Sequence, residues 1–150
     1  VIFRQKRVGL NGIEFVVHKF RTMYSNSEDK SGPIWASKDD PRITPIGKIL
    51  RKTRLDEFPQ LYDVLIGNMS IIGPRPLTDQ AFRVYSESTQ NLVTQVRPGL
   101  SGVGSIVFRG EEEIMHGATA SVDFYANVIA PYKGTLEEWF VSNKSLYTYF

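Results

Sequence analysis

Asp56 and Glu57 stand side by side, between the basic run Arg51-Lys52-Thr53-Arg54 and Pro59. Two adjacent carboxylates offer a division of labour. One can serve as a nucleophile, and the other as a hard oxygen ligand for Mg2+, which takes one or two carboxylates together with phosphate oxygens. Pro59 has no N–H to donate and fits only the first turn of a helix, so a helix is expected to begin near Asp56. The pair then sits in or just before that turn, where the dipole favours the ionised form and free N–H groups can hold a phosphate. The same residues also describe a plain N-cap Asp followed by an exposed Glu, a feature worth about 1 kcal/mol.

The neighbouring cations add to the first reading. Arg51 precedes Asp56 by little more than one helical turn. Arg75 lies between Pro74 and Pro76, which hold its backbone extended and suit it to aim a guanidinium at a phosphate. A Pro-rich connector bearing a surface arginine has the same sequence. Lys19 and Arg21 flank Phe20 and would share one face of a strand, toward a ligand or toward solvent. His18 and His116 are too far apart in the chain to make a recognisable metal motif, and His18 reads as a strand or core-edge residue. Trp35 and Trp139 read as packing residues.

These side chains need elements to hold them. Val1–Val8 and Ile13–Phe20 flank Gly9-Leu10-Asn11-Gly12, the signature of a β-hairpin. Residues 24–42 are polar and read as a long loop. Thr44-Pro45 is an N-cap with proline at the first helical position, and Ile46, Ile49 and Leu50 give the helix an apolar face. Phe58, Leu61, Tyr62, Leu65 and Ile66 recur at helical spacing toward a Gly67 cap. Residues 69–73 read as a short strand, 79–95 as one polar-faced helix, and Ser105–Phe108 as a strand after an Arg97-Pro98-Gly99 turn. Glu111, Glu112 and Glu113 suit a helix start. From Ser121 onward two apolar patterns are split by Pro131. The expected fold class is α+β: a single mixed domain over residues 1–150, with short β elements and several amphipathic helices.

Composition bounds the rest. The chain has 150 residues, 41% hydrophobic and 23% charged, enough for one domain with a core. With no cysteine, disulfide scaffolds, thiol nucleophiles and cysteine zinc sites are excluded. No apolar run approaches the length needed to span a bilayer. Residues 1–54 hold 12 Lys/Arg against 5 Asp/Glu, while residues 55–150 hold 6 against 11. The basic first third points to an anionic partner: phosphates, a nucleic acid or an acidic membrane surface.

Taken in order, several segments carry a family resemblance. They are Lys19-Phe20-Arg21-Thr22-Met23, Asp40-Pro41-Arg42-Ile43-Thr44 and Leu50 through Leu61. Gly67-Asn68-Met69-Ser70, Gly73-Pro74-Arg75-Pro76 and Arg97-Pro98-Gly99-Leu100-Ser101-Gly102 follow. Together they resemble the bacterial sugar transferase family, the monotopic polyprenyl-phosphate phosphoglycosyltransferases, across nearly the whole chain. The resemblance implies a two-step transfer. Asp56 attacks the β-phosphate of a UDP-sugar, UMP leaves, and polyprenyl phosphate takes the phospho-sugar from the aspartate. It implies Glu57 as a catalytic Mg2+ ligand, with Lys19, Arg21, Arg51, Arg75, Arg109 and Asp123 binding substrate. It also implies an apolar membrane anchor upstream of Val1, a catalytic domain trimmed at both ends, and a place on the cytoplasmic face of the bacterial inner membrane, initiating surface glycan assembly. Oligomeric state does not follow from it.

Two departures stand out. Asn68 replaces the usual Asp of the Gly-Asp-Met-Ser motif, and Val103 through Gly110 differs from the commoner ending in Asn-Gly-Arg-Asn. Two alternatives of other classes remain: an inactive, membrane-associated scaffold, against which the intact Asp56 and Glu57 argue, and a basic nucleic-acid-binding domain. Binding of the second kind would weaken roughly 10³–10⁵-fold between 50 and 200 mM salt for six to ten phosphate contacts. No nucleic acid is expected on the transferase reading. The aromatic tail, Trp139, Phe140, Tyr147, Tyr149 and Phe150, could meet a bilayer interface or belong to the core.

Overall fold

The computed structural model describes residues 1–25, 40–110 and 122–145. The expected helix opening at Glu111, His116, Trp35, most of the 24–42 loop and the aromatic residues after 145 lie outside them. The described architecture is α+β, as expected.

The chain opens with an antiparallel hairpin of β1 (Ile2–Val8) and β2 (Glu14–Phe20), registered from Ile2 opposite Phe20 to Val8 opposite Glu14. Asn11 (φ 56°) and Gly12 (φ 73°) both take left-handed backbone in its loop, the reason for an Asn-Gly pair there. The Val8 amide donates to the Leu77 carbonyl at 2.9 Å and Asn11 to that of Thr94 at 2.7 Å, docking the hairpin on the domain.

Helix α1 (Pro45–Thr53) starts as expected, with the Thr44 side chain accepting from the Gly47 amide at 2.9 Å. Its apolar face, however, does not enter the core: Ile46 is 71% exposed and Ile49 64%. Helix α2 (Gln60–Leu65) ends in a turn where Gly67 takes φ 82°. Strand β3 (Ser70–Ile72) pairs in parallel with β4 (Gly99–Ser101). Between them run α3 (Asp79–Phe82) and α4 (Glu87–Val93), two helices where one was expected. The Ser86 hydroxyl accepts from the Thr89 amide at 3.2 Å and starts a new helix.

Ser105–Phe108 is not a strand. Helix α5 (Val103–Val107) forms there and contacts the last helix. A Cβ on Gly104 would lie 2.3 Å from Glu137 Oε1, so the missing side chain is what permits this packing. Pro131 does not divide the C-terminal region either. Val122–Phe124, a π-helical stretch Tyr125–Ile129 and α6 (Ala130–Ser142) follow one another without a break. Pro131 falls in the first turn of α6, where the wider π turns precede a residue that cannot donate. The principal core cluster is Leu77, Tyr85, Tyr125, Ile129 and Ala130. Phe140 is buried, but Trp139 is half exposed and so is not the packing residue expected.

Candidate active site

Asp56 and Glu57 lie just before α2, one of the two placements expected, rather than inside its first turn. Helix α1 ends at Arg54, whose left-handed backbone (φ 60°) reverses the chain into a 3-10 turn, Leu55–Glu57. Helix α2 begins only after Pro59. The two carboxylates therefore receive their electrostatics from facing side chains rather than from a helix dipole.

Glu57 is buried, and its Oε1 accepts from Lys19 Nζ at 2.9 Å and from Arg75 Nη2 at 2.6 Å. Burial pushes its pKa up, but Arg75 and Lys19 overcome that and bring it from 4.5 to about 2. The same contacts do not favour the Lys19 cation equally. Burial and the Arg75 charge outweigh Glu57, and the Lys19 pKa falls below its ordinary value. Asp56 is half-buried, and its Oδ1 has no hydrogen-bond partner among the described residues. Burial and the Glu57 charge raise its pKa, opposed by Lys19 and Arg51. A carboxylate made more basic in this way suits a nucleophile.

Each partner is held by a separate element. Lys19 ends β2. Arg51, on α1, donates from Nε to Thr22 Oγ1 at 2.9 Å, while Thr22's carbonyl accepts from the Thr44 amide at 2.9 Å. Arg75 follows β3 in a loop tied to β4: the Gly73 amide donates to Ser101 at 2.8 Å and Gly99 to Pro74 at 2.8 Å. A Cβ on Gly99 would come within 2.1 Å of the Gly73 nitrogen, so the loop and β4 meet backbone to backbone. Below the dyad, the fully buried Asp63 of α2 accepts from the His18 amide at 3.0 Å and from His18 Nδ1 at 2.8 Å. His18 is thus the structural edge residue expected of it, edge-on to Tyr62. Asn68 is exposed, and its amide donates to the Asp63 carbonyl at 3.0 Å.

Lys19, Arg51 and Arg75 therefore converge on the carboxylates. Arg21 lies beyond β2, exposed, with Nη1 donating to Ser25 Oγ at 3.1 Å, so it does not share Lys19's inward direction. Arg109 is exposed after α5, and its carbonyl accepts from Arg54 Nη2 at 3.3 Å. Asp123 is exposed near the start of the C-terminal helical run. Among the described contacts, the side chains of these three do not reach the dyad. Arg7, Asp63 and Glu137 were not singled out from sequence, yet all three matter to the site's frame. Only Arg7 carried a signal: strand alternation groups it with Phe3 and Gln5 on the less exposed face of β1, away from Arg4 and Lys6.

Among the described residues no cluster of three or more metal-ligating side chains exists. One oxygen of Glu57 is already engaged by two cations. Its other oxygen is the donor that Glu57 would offer Mg2+, with phosphate oxygens and water to complete the shell.

This pairing of a carboxylate dyad with inward cations occurs in a chain whose residues 1–145 match the bacterial sugar transferase model, and the chain belongs to that family. It is 43% identical over 123 residues to a Bacillus subtilis protein whose name marks it as an unconfirmed undecaprenyl-phosphate N-acetylgalactosaminyl 1-phosphate transferase, covering 81% of this chain and 62% of that one. It is 39% identical over 127 residues to the UDP-glucose:undecaprenyl-phosphate glucose-1-phosphate transferase of Klebsiella pneumoniae, covering 83% and 27%. A UDP-N-acetylgalactosamine-undecaprenyl-phosphate N-acetylgalactosaminephosphotransferase of Aeromonas hydrophila is 41% identical over 127 residues, covering 82% and 27%. The chain thus spans from about a quarter to somewhat under two thirds of these relatives.

Proposed function

We propose that the protein transfers a sugar 1-phosphate from a UDP-sugar to polyprenyl phosphate, with Asp56 as the covalent nucleophile. The observation that carries this reading is the half-buried Asp56, facing the cations Lys19 and Arg51, beside a Glu57 locked by Lys19 and Arg75. The names of the relatives support the substrate class. An Asp56 oxygen attacks the β-phosphorus, and the bond from that phosphorus to the oxygen bridging it to the α-phosphate breaks. UMP leaves with the bond's electron pair, and the phospho-sugar stays on Asp56 as an acyl phosphate. A phosphate oxygen of the polyprenyl acceptor then attacks the same phosphorus and frees the carboxylate, giving a polyprenyl-diphosphate-linked sugar. Splitting the transfer in two lowers each barrier, and Lys19, Arg51 and Arg75 offset charge on the phosphoryl oxygens. Mg2+ held through Glu57 would neutralise phosphate charge.

The reading places the protein at the cytoplasmic face of the bacterial inner membrane, with nucleotide sugar arriving from solution and lipid phosphate from the bilayer. No helix among the described residues is long and apolar enough to cross a membrane. The exposed Ile46, Ile49, Leu55, Phe58, Leu65 and Ile66 support a surface contact, because exposed apolar side chains on this scale mark an interaction site. Lys19 and Arg75 face Glu57 rather than an open surface, which counts against the nucleic-acid alternative.

The test supplies the protein in vesicles with Mg2+, undecaprenyl phosphate and a panel of UDP-sugars. UMP release with one of them is expected, together with a phospho-sugar adduct on the wild-type chain detectable by mass spectrometry. Asp56→Asn should abolish both. Undiminished turnover by Asp56→Asn overturns the assignment.

A further inference from the structure

The segment that carries Arg75 owns a single backbone donor. Pro74 and Pro76 have no N–H, so only the Arg75 amide can donate. The carbonyls on either side are taken: that of Pro74 accepts from the Gly99 amide at 2.8 Å, and that of Pro76 from Arg7 Nη1 at 3.3 Å. Among the described contacts no backbone carbonyl accepts from Arg75. What its amide faces is the side chain of Glu137 on α6. Pro74, Arg75 and Glu137 line one cavity, with the apolar Val8, Leu77 and Tyr85 around them.

Glu137 is 1% exposed, and neither of its carboxylate oxygens completes a hydrogen bond among the described residues. Its Oε1 would stand 2.3 Å from a Cβ on Gly104, so the carboxylate fills the space that this glycine leaves. The charged groups that face it are Lys133, one turn back on α6 and also buried, and Arg75, with the Gly104 amide beside them. Burial disfavours the carboxylate's charge, and these groups together do not offset that. Ionising Glu137 therefore adds nothing to the stability of the fold, while it strengthens the hold on the two amides it faces.

We infer that Glu137 is a positioning residue: its carboxylate holds the one amide of Pro74-Arg75-Pro76 and so sets the Arg75 guanidinium against Glu57, beside Asp56. A single side chain separates that amide from the 2.6 Å contact of Arg75 Nη2 with Glu57 Oε1. The flanking prolines leave the backbone little freedom to absorb a displacement, so a shift at the amide moves the guanidinium with it. A misplacement of about 1 Å can cost about 10²-fold in rate, even when its cause lies away from the reacting atoms. The inference deepens the transfer reading and rests on it only for the reaction that is slowed.

Glu137→Leu removes both oxygens and keeps an apolar side chain of similar length. On the full chain it should speed hydrogen exchange of the Arg75 amide by about tenfold or more. It should lower kcat for UMP release by about tenfold or more, with KM for the UDP-sugar within about threefold of wild type. The Arg75 guanidinium, held by Glu57, should show hindered rotation by NMR in the wild type and free rotation in the variant. Glu137→Gln keeps one acceptor oxygen and should recover part of each effect. An Arg75 amide that exchanges within about twofold of wild type in Glu137→Leu overturns the inference. So does turnover that falls only in proportion to the folded fraction, which would make Glu137 a packing residue. Should Glu137→Leu fail to fold, Gly104→Ala decides. Its methyl group displaces the carboxylate without deleting it, and an Arg75 amide as protected there as in the wild type also overturns the inference. If the wild type releases no UMP with any UDP-sugar, the transfer reading fails, while faster exchange and free rotation in Glu137→Leu leave the positioning of Arg75 standing.

Discussion

Glu57 and Glu137 are two buried carboxylates with opposite histories on folding. Glu57 drops from 4.5 to about 2, because Arg75 and Lys19 overcome the effect of burial. Its contribution to stability is present above pH 4.5 and is lost as pH falls through 4.5 toward 2, worth about 3 kcal/mol. Glu137, on α6, goes the other way: burial raises it from 4.5 to about 7, opposed by Lys133 and by the amides of Arg75 and Gly104, which lean toward it without completing hydrogen-bond geometry. Its contribution is full below pH 4.5 and is lost as pH rises through 7. Urea titrations across pH should therefore show Glu57→Gln flattening the acid limb and Glu137→Gln flattening the limb between pH 4.5 and 7. At neutral pH Glu57→Gln strands two cations and should destabilise by about 3 kcal/mol. Equal pH profiles in wild type and both variants would refute these assignments.

At the scale of elements, α1 shows how a local signal and a distant contact share the work. Thr44 caps the helix, and Thr44→Ala should cost about 1 kcal/mol. Gly47 matters for another reason: a Cβ there would sit 2.1 Å from the Thr22 carbonyl oxygen, which is backbone. Gly47→Ala must push α1 off the strand end and pull Arg51 from Thr22. It is expected to cost more stability than Thr44→Ala and to depress UMP release as well. If urea unfolding shows Gly47→Ala as mild as Thr44→Ala, α1 is not seated through this contact. Much of the site was legible because Asp56, Glu57, Arg51, Arg75 and Lys19 lie in ordered motifs. Arg7, Asp63 and Glu137 were not, since each acquires its role from a residue more than twenty-five positions away. The hairpin, α1 and β3 followed from local turn and cap chemistry. The apolar Ser105–Phe108 run reads equally as strand or helix, and only the packing of Gly104 against α6 decides it. The single helix expected over 79–95 failed because the Ser86 cap competes locally with continuation.

For the molecule as a whole, the uneven charge of the two parts of the chain has two destinations. Arg7, Lys19 and Arg51 of the basic first third turn toward the dyad, whereas Lys48, Lys52 and Arg54 remain exposed beside the apolar side chains of α1 and the turn after it. Apolar side chains that enter a bilayer interface, flanked by lysine and arginine that stay with its headgroups, bind through both burial and attraction to anionic lipid. The two contributions separate experimentally. Full burial of an isoleucine side chain is worth about 1.5–3 kcal/mol, so even partial insertion of two makes more than a tenfold difference in partitioning. Ile46→Ser with Ile49→Ser should therefore reduce co-sedimentation with anionic vesicles by at least about tenfold while leaving the urea midpoint almost unchanged, since exposed positions shift stability by about 0.5 kcal/mol or less. Raising the salt should weaken binding of wild type and variant alike, because it screens only the Lys48, Lys52 and Arg54 contribution. Ile13→Ser, at the hairpin tip where Ile13 is 68% exposed, supplies the comparison. Should it release the protein from vesicles as strongly as the α1 pair, the apolar stretch from Ile46 to Ile66 has no special claim on the membrane.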